Sequence, residues 1–134
     1  MALTFSKEER LCSRRLINRL YAEGNRLMAF PFSVQWHFEQ LEVPCQIMIV
    51  APKRRFHHAV DRNRVKRLTR ECYRLHKARL YTFLEENKIE GITLSLVYVD
   101  SSILSFDTLM KKMDKLIEQL IKDIANAKGL PVDA

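Results

Sequence analysis

The sequence predicts an α/β domain, an α+β two-layer sandwich of one small sheet and its helices. Three observations carry that expectation. Two segments alternate apolar and polar residues with a period of two, as half-buried strands do. Three longer segments repeat apolar residues at three and four, as amphipathic helices do. The two patterns are interleaved along the chain rather than grouped, in the order helix-strand-strand-helix-strand-helix. With 134 residues and no repeat, low-complexity tract or Gly/Ser/Pro-rich linker, the chain reads as a single domain over 1–134.

Residues 12–23 read as the first helix: Ser13 is its N-cap, Leu16, Ile17, Leu20 and Tyr21 form its apolar stripe, and Gly24 stops it. Over 30–39, Phe32, Val34, Trp36 and Phe38 point one way and Ser33, Gln35 and His37 the other, so this strand keeps one polar face. A short additional strand fits 27–29. Residues 41–44 form a turn, and 45–51 (CQIMIVA) is an apolar run without alternation, expected to be a central strand covered on both faces. Pro52 opens a basic loop, and a helical pattern runs from Ala59 to about Leu80 or Glu85. Residues 93–99 form the third clear strand, with Leu94, Leu96 and Tyr98 against Thr93, Ser95 and Val97. Ser105 caps a last helix over 106–127, striped by Leu109, Met113, Leu116, Leu120 and Ile124 and ended by Gly129 and Pro131.

Composition excludes several classes. The apolar runs fall far short of the about 20 residues a membrane span needs. The N-terminus lacks a basic region followed by an apolar stretch, so no secretory signal is expected. Cys12, Cys45 and Cys72 are odd in number and have no CxxC spacing, which fits reduced thiols in a cytoplasmic protein rather than a disulfide frame or zinc site.

The charge is concentrated. Lys and Arg number 23 against 16 Asp and Glu, a net +7. Residues 53–79 hold eleven of those cations and two acids, so the rest of the chain is slightly acidic. At about 100° per residue, Val65, Leu68, Cys72, Leu75 and His76 share one arc of the helix, facing the sheet. Asn63, Lys66, Arg67, Arg70, Arg74 and Lys77 form a basic ridge opposite, flanked by Arg62 and Arg64. Glu71 is the only acid after Asp61 on this stretch, so the ridge is expected to stay free of i, i+4 neutralisation. A solvated helix face normally mixes signs, so the pattern points to a polyanion, and the excess of arginine favours forked contacts to phosphate. A helix-turn-helix reader of DNA needs a second short helix and base-reading side chains at its start. A basic loop before one long helix, poor in Gln, Ser and Thr, suits phosphate and shape contacts to structured RNA better.

The run AVDRNRVKRLTRECYR over 59–74 resembles the AV-x-RNR-x-KR-x-x-RE signature of the protein subunit of bacterial ribonuclease P. The basic loop Pro52-Lys53-Arg54-Arg55-Phe56 precedes it, and Arg10-Leu11, the Gly24 stop and the final strand and helix match the family's order over nearly the whole chain. The resemblance implies a ribosomal-protein-like fold with a left-handed βαβ crossover, against the usual right-handed rule. It implies that the chain partners the catalytic RNA and the 5′ leader of precursor tRNA, with magnesium used by RNA and substrate rather than held in a protein site. The RNA would perform the chemistry, and no protein catalytic residue is expected. Arg62, Asn63, Arg64, Lys66, Arg67 and Arg70 then match the RNA-contacting motif, with Lys53, Arg54 and Arg55 as its loop and Arg74 continuing the ridge. The leader cleft, between the first helix and the sheet, maps to Ile17, Tyr21, Ser33, Gln35 and His37. Ile17 and Gln35 stand where relatives often carry aromatic residues, leaving Tyr21 as the stacking platform.

Other constellations carry less. His57 and His58 diverge as neighbours amid cations and lack acidic or thiol partners at ligand spacing. His76 reads as a packing histidine, Trp36 as core, and Asp100-Ser101-Ser102 as a turn. Two other functions compete: a ribosome-associated RNA-binding module without leader removal, and a basic domain on an anionic membrane, for which the last helix has no spare apolar face.

Overall fold

Strand pairing begins with a hairpin. In the computed structural model, which describes residues 5–130, Asn25–Ala29 (β1) pairs antiparallel with Phe32–Phe38 (β2). The short strand expected at 27–29 is thus real and longer. β2 pairs antiparallel with Ile92–Tyr98 (β4), which runs parallel to Cys45–Val50 (β3), giving the sheet order β1-β2-β4-β3. The helices are Arg14–Glu23 (α1), Ala59–Glu86 (α2) and Phe106–Lys128 (α3). Ser13 and Ser105 cap α1 and α3 through their hydroxyls, accepting from the amides of Leu16 and Thr108. Gly129 ends α3 in the left-handed region, at φ 72°, while Pro131 lies outside the described residues.

The alternation of β2 and β4 divides the sheet. Phe32, Val34 and Trp36 face the same side as their cross-strand partners Tyr98, Leu96 and Leu94. On that side α2 and α3 pack on the sheet and on each other, burying Leu109, Met113, Leu116, Leu120 and Ile124 as the last helix's stripe predicts. Trp36 is core, as expected, and its indole nitrogen donates to Asp123 Oδ2 at 2.7 Å. The opposite face carries Ser33, Gln35 and His37 with Thr93, Ser95 and Val97. There α1 packs on β2 and β4 and closes a second, smaller core of Leu11, Leu16 and Leu20 with Ile17, Leu41 and Met48.

β3 departs from expectation: it is an edge strand, not a central one. Its apolar run is covered from three directions instead. Its core face meets α2, Met48 on the other face joins the α1 cluster, and its outer edge is crossed by the N-terminal strap, residues 5–11. There Arg10 bridges Ile47, and the Leu11 amide donates to the Ile47 carbonyl at 2.9 Å. Covering an edge in this way removes a template for unwanted strand pairing.

The buried face of α2 is also wider than the periodicity suggests. Val65 and Cys72 are buried as expected, but Leu68, Leu75 and His76 are only half-buried, while Thr69, Tyr73, Lys77, Leu80, Tyr81 and Leu84 are buried. The strap packs against a second side of the helix and pulls that side inward. His76 is satisfied locally, with Nδ1 2.8 Å from the Cys72 carbonyl.

Gly24 stops α1 for want of space rather than for a left-handed backbone: its φ is −68°. A Cβ built there would lie 2.3 Å from the Leu20 carbonyl oxygen and 3.2 Å from that of Trp36. Gly24→Ala is therefore expected to destabilise the protein by about 1–3 kcal/mol, the range for forced overpacking, read as a lower urea midpoint at unchanged slope.

Candidate nucleic-acid interface

α2 and the loop before it are joined by a cation. Arg62 Nη1 donates to the carbonyls of Phe56 and His57, both at 2.9 Å, so this guanidinium fixes the loop against the first turn. The amides of Arg55 and Phe56 donate to the Pro52 carbonyl, and Phe56 is buried against Tyr98, which gives the loop a defined path. Lys53 and Arg54 project from it into solvent; Arg55 is half-buried, and its Nε has no hydrogen-bond partner among the described residues. On the helix, Asn63, Arg64 and Arg67 are exposed, and Lys66 and Arg70 half-buried.

Two ridge positions differ from the sequence reading. Arg74 forms a forked pair with Glu71, at 3.0 Å from Nε and 2.5 Å from Nη2, so the ridge is partly neutralised at that point. The same contact holds the Glu71 carboxyl below its ordinary range. Lys77 leaves the ridge altogether. It is 2% exposed, and its Nζ donates to Glu9 Oε1 at 2.5 Å inside the strap junction. The outward cationic surface is consequently Lys53, Arg54, Arg64, Lys66, Arg67 and Arg70, with Asn63 among them.

The second surface is the open sheet face beside α1. Ser33, Gln35 and His37 lie along it on β2, as their alternation predicts. Tyr21 stands over its edge, 40% exposed, with its hydroxyl 3.3 Å from Ser95 Oγ. Ile17 is half-buried and belongs to the α1 cluster, so it forms wall rather than platform. Gln35 is nearly buried, and its Nε2 has no hydrogen-bond partner among the described residues. His37 closes one end, with Nδ1 3.3 Å from Glu39 and Nε2 4.0 Å from Glu23, while Arg19 pairs Glu39 at 2.9 Å. Three positions of this face escaped the sequence reading: Ser95, opposite Gln35 on β4, and exposed Arg26 and Met28 on β1, opposite Gln35 and Ser33. The hairpin register identifies Arg26 and Met28, and the β2–β4 register identifies Ser95.

Among the described residues no three His, Cys, Asp or Glu side chains come together to hold a metal ion, and no helix is long and apolar enough to cross a membrane. The three cysteines are free thiols. Burial pushes Cys45 up to about 12 and Cys72 to about 11, so both stay protonated at neutral pH.

A small α/β chain that turns a cationic surface outward from one helix, and keeps that helix's other sides in its core, is in class a polyanion-binding protein. A sequence profile described as Ribonuclease P matches residues 5–121. The chain belongs to the ribonuclease P protein family, whose members are protein components of the endoribonuclease that matures tRNA 5′ ends. It is 33% identical over 124 residues to the ribonuclease P protein component of Porphyromonas gingivalis, covering 91% of this chain and 90% of that one. To the Syntrophus aciditrophicus component it is 36% identical over 99 residues, 73% of this chain and 82% of the relative. The fold matches the structure of the Staphylococcus aureus RNase P protein with a TM-score of 0.66 at 18% identity, over 85% of this chain and 96% of that one. The RNase P protein from Thermotoga maritima matches with a TM-score of 0.65 at 22% identity, over 83% and 96%.

Proposed function

We propose that this chain binds the catalytic RNA of ribonuclease P through the loop and α2 and holds the 5′ leader of precursor tRNA between α1 and the open sheet face. The observation that carries this reading is the outward cluster of Lys53, Arg54, Asn63, Arg64, Lys66, Arg67 and Arg70, for which no carboxylate ion pair occurs among the described residues. Self-repulsion on such a surface is relieved by a phosphate backbone. In this reading RNA and substrate hold the magnesium and do the chemistry, while the protein lowers the repulsion between two RNAs and adds affinity for the leader. The cytoplasm, where tRNA is matured in bacteria, is the compartment that goes with it. The test is precursor-tRNA cleavage by the cognate ribonuclease P RNA at low magnesium. Mature tRNA with a 5′-phosphate is expected only when the protein is added; unchanged cleavage, with no preference for that RNA over an unrelated one, would sink the reading.

Tyr21 offers a sharper check on the leader cleft. Stacking on an aromatic ring is worth about 1–3 kcal/mol per base, so Tyr21→Ala should raise the KM for precursor tRNA by roughly 5- to 150-fold. Assembly with the catalytic RNA should be unaffected. Tyr21→Phe loses the hydroxyl contact to Ser95 but keeps the ring, and should retain most of the affinity. Lost assembly with normal substrate KM in Tyr21→Ala would place this residue elsewhere.

A further inference from the structure

The strap, the edge of β3 and Arg70 of α2 border an open cavity of about 180 Å³, with Phe5, Arg10, Cys12, Ile47 and Met48 among its walls. Its two arginines come from elements far apart in sequence, yet border one space. Neither Arg10 nor Arg70 has a carboxylate within ion-pair distance among the described residues, unlike Arg19, Arg74 and Arg79. We infer that this cavity is a binding subsite for a phosphodiester group of RNA, clamped between Arg10 and Arg70. The inference rests on the RNA-binding reading above and extends the footprint to a residue outside the basic helix and its loop.

Three features make this a built site. The strap wall is anchored from inside: buried Glu9 accepts from Lys77 and Tyr81 at 2.5 Å each and from the Ser6 amide at 2.6 Å. Because Glu9 points inward, Arg10 is displayed outward as its neighbour, its guanidinium 5.8 Å from the centre of the Phe5 ring. That ring is itself held edge-on by Tyr73 at 6.2 Å. Along β3, the Ile47 carbonyl points to the outer edge and accepts from the strap. The main-chain groups of Ile49, two residues on, face the same edge beside the cavity. The volume is well under the roughly 300–1,000 Å³ of pockets that bury a drug-sized ligand and suits one phosphate group.

Position supplies the rest. α2 packs on the core face of the sheet and α1 on the open face, and the strap cavity straddles the β3 edge between them. Arg70 belongs to the helix surface, whereas Met48 lies on the open face opposite Ser95. A polyanion engaging both surfaces would have to cross this edge, and Arg10 and Arg70 stand at the crossing.

The experiment measures binding of the full-length protein to its ribonuclease P RNA across a salt series. Arg10→Gln keeps the stem over Phe5 but removes the charge; Arg10→Lys restores charge without the fork. Arg10→Gln is expected to reduce the slope of log affinity against log salt by about one, and Arg10→Lys to restore the slope but only part of the affinity. Paired with Arg70→Gln, the losses should be non-additive, as for groups sharing one ligand. A second arm repeats the series for precursor tRNA binding to the preassembled complex. A reduced slope in the first arm assigns the phosphodiester to the catalytic RNA; one confined to the second assigns it to the substrate. An unchanged slope in both arms, with wild-type binding intact, overturns the inference alone. Failure of the unaltered protein to prefer this RNA over an unrelated one overturns the reading beneath it.

Discussion

Replacing Lys77 with methionine is expected to lower the unfolding free energy by about 3–5 kcal/mol, the cost of removing one partner from a buried ion pair. Lys77 and Glu9 are 2% and 6% exposed, so neither charge is free to turn to bulk water. Without the ammonium, Glu9 keeps, among the described residues, the Tyr81 hydroxyl and Ser6, and the strap loses the charged one of its ties to α2. Glu9→Gln together with Lys77→Met should recover a large part of the loss, because no uncompensated charge remains. Urea unfolding at neutral pH measures both. The pH dependence follows. Burial alone would raise the Glu9 carboxyl, but hydrogen bonds from Lys77, Tyr81 and Ser6 outweigh it and hold the group below its ordinary 4.5. A carboxylate lowered on folding contributes stability that is full above its unfolded value and lost as pH falls through the folded one. The wild-type unfolding free energy should therefore drop below about pH 4.5, and Lys77→Met should show a shallower drop. Equal stability of Lys77→Met and wild type at pH 7 would contradict this account.

The same pair marks the limit of what local pattern reveals. Lys77 falls among cations on the helical wheel, and its acid lies 68 residues upstream, so no spacing rule connects them. Only the strap's return across β3 brings them together, and nothing in the periodicity of 59–79 predicts a second packed side. β3 misleads for a related reason: an apolar run without alternation reports that both faces are covered, not which strands flank it. The strap, α1 and α2 cover it at an edge. Where a pattern is carried by the element itself, the outcome was legible. The alternation of β2 and β4 divided the core face from the open one residue by residue, Ser13 and Ser105 capped their helices, and Trp36 was buried. The outward placement of the cations was legible to the same extent. Lys53, Arg54, Asn63, Arg64 and Arg67 are outward, as a one-sided charge run implies. Arg62 also holds two loop carbonyls through Nη1, a contact visible only once the loop's path is known.

Converting Arg64 and Arg67 together to alanine should weaken binding of ribonuclease P RNA by roughly 10²- to 10⁴-fold, since each charge-assisted contact is worth about 1.5–3 kcal/mol. Both side chains are exposed, three residues apart on one face of α2, and no ion pair involves either among the described residues. Their removal should leave the unfolding transition near that of the wild type, because the helix is held by Val65, Thr69, Cys72 and Tyr73 on its buried side. The salt dependence separates direct contact from a general fall in net charge. If both arginines neutralise phosphates, the slope of log affinity against log salt should fall by about two. Lys122→Ala removes a cation from exposed α3, where the lysine pairs with Glu118; this loss of charge away from the ridge should leave the slope unchanged. Equal slopes in the two variants would mean that α2 attracts the RNA only through the protein's overall field. A reduced slope confined to the arginine variant would mean that the helix lies on the RNA backbone. In that case the cationic stretch of α2 from Arg62 to Arg70 has a direct function: beyond Asp61 in the first turn, a phosphate strand can run along it without meeting a competing anion, until Glu71 closes the surface by pairing with Arg74.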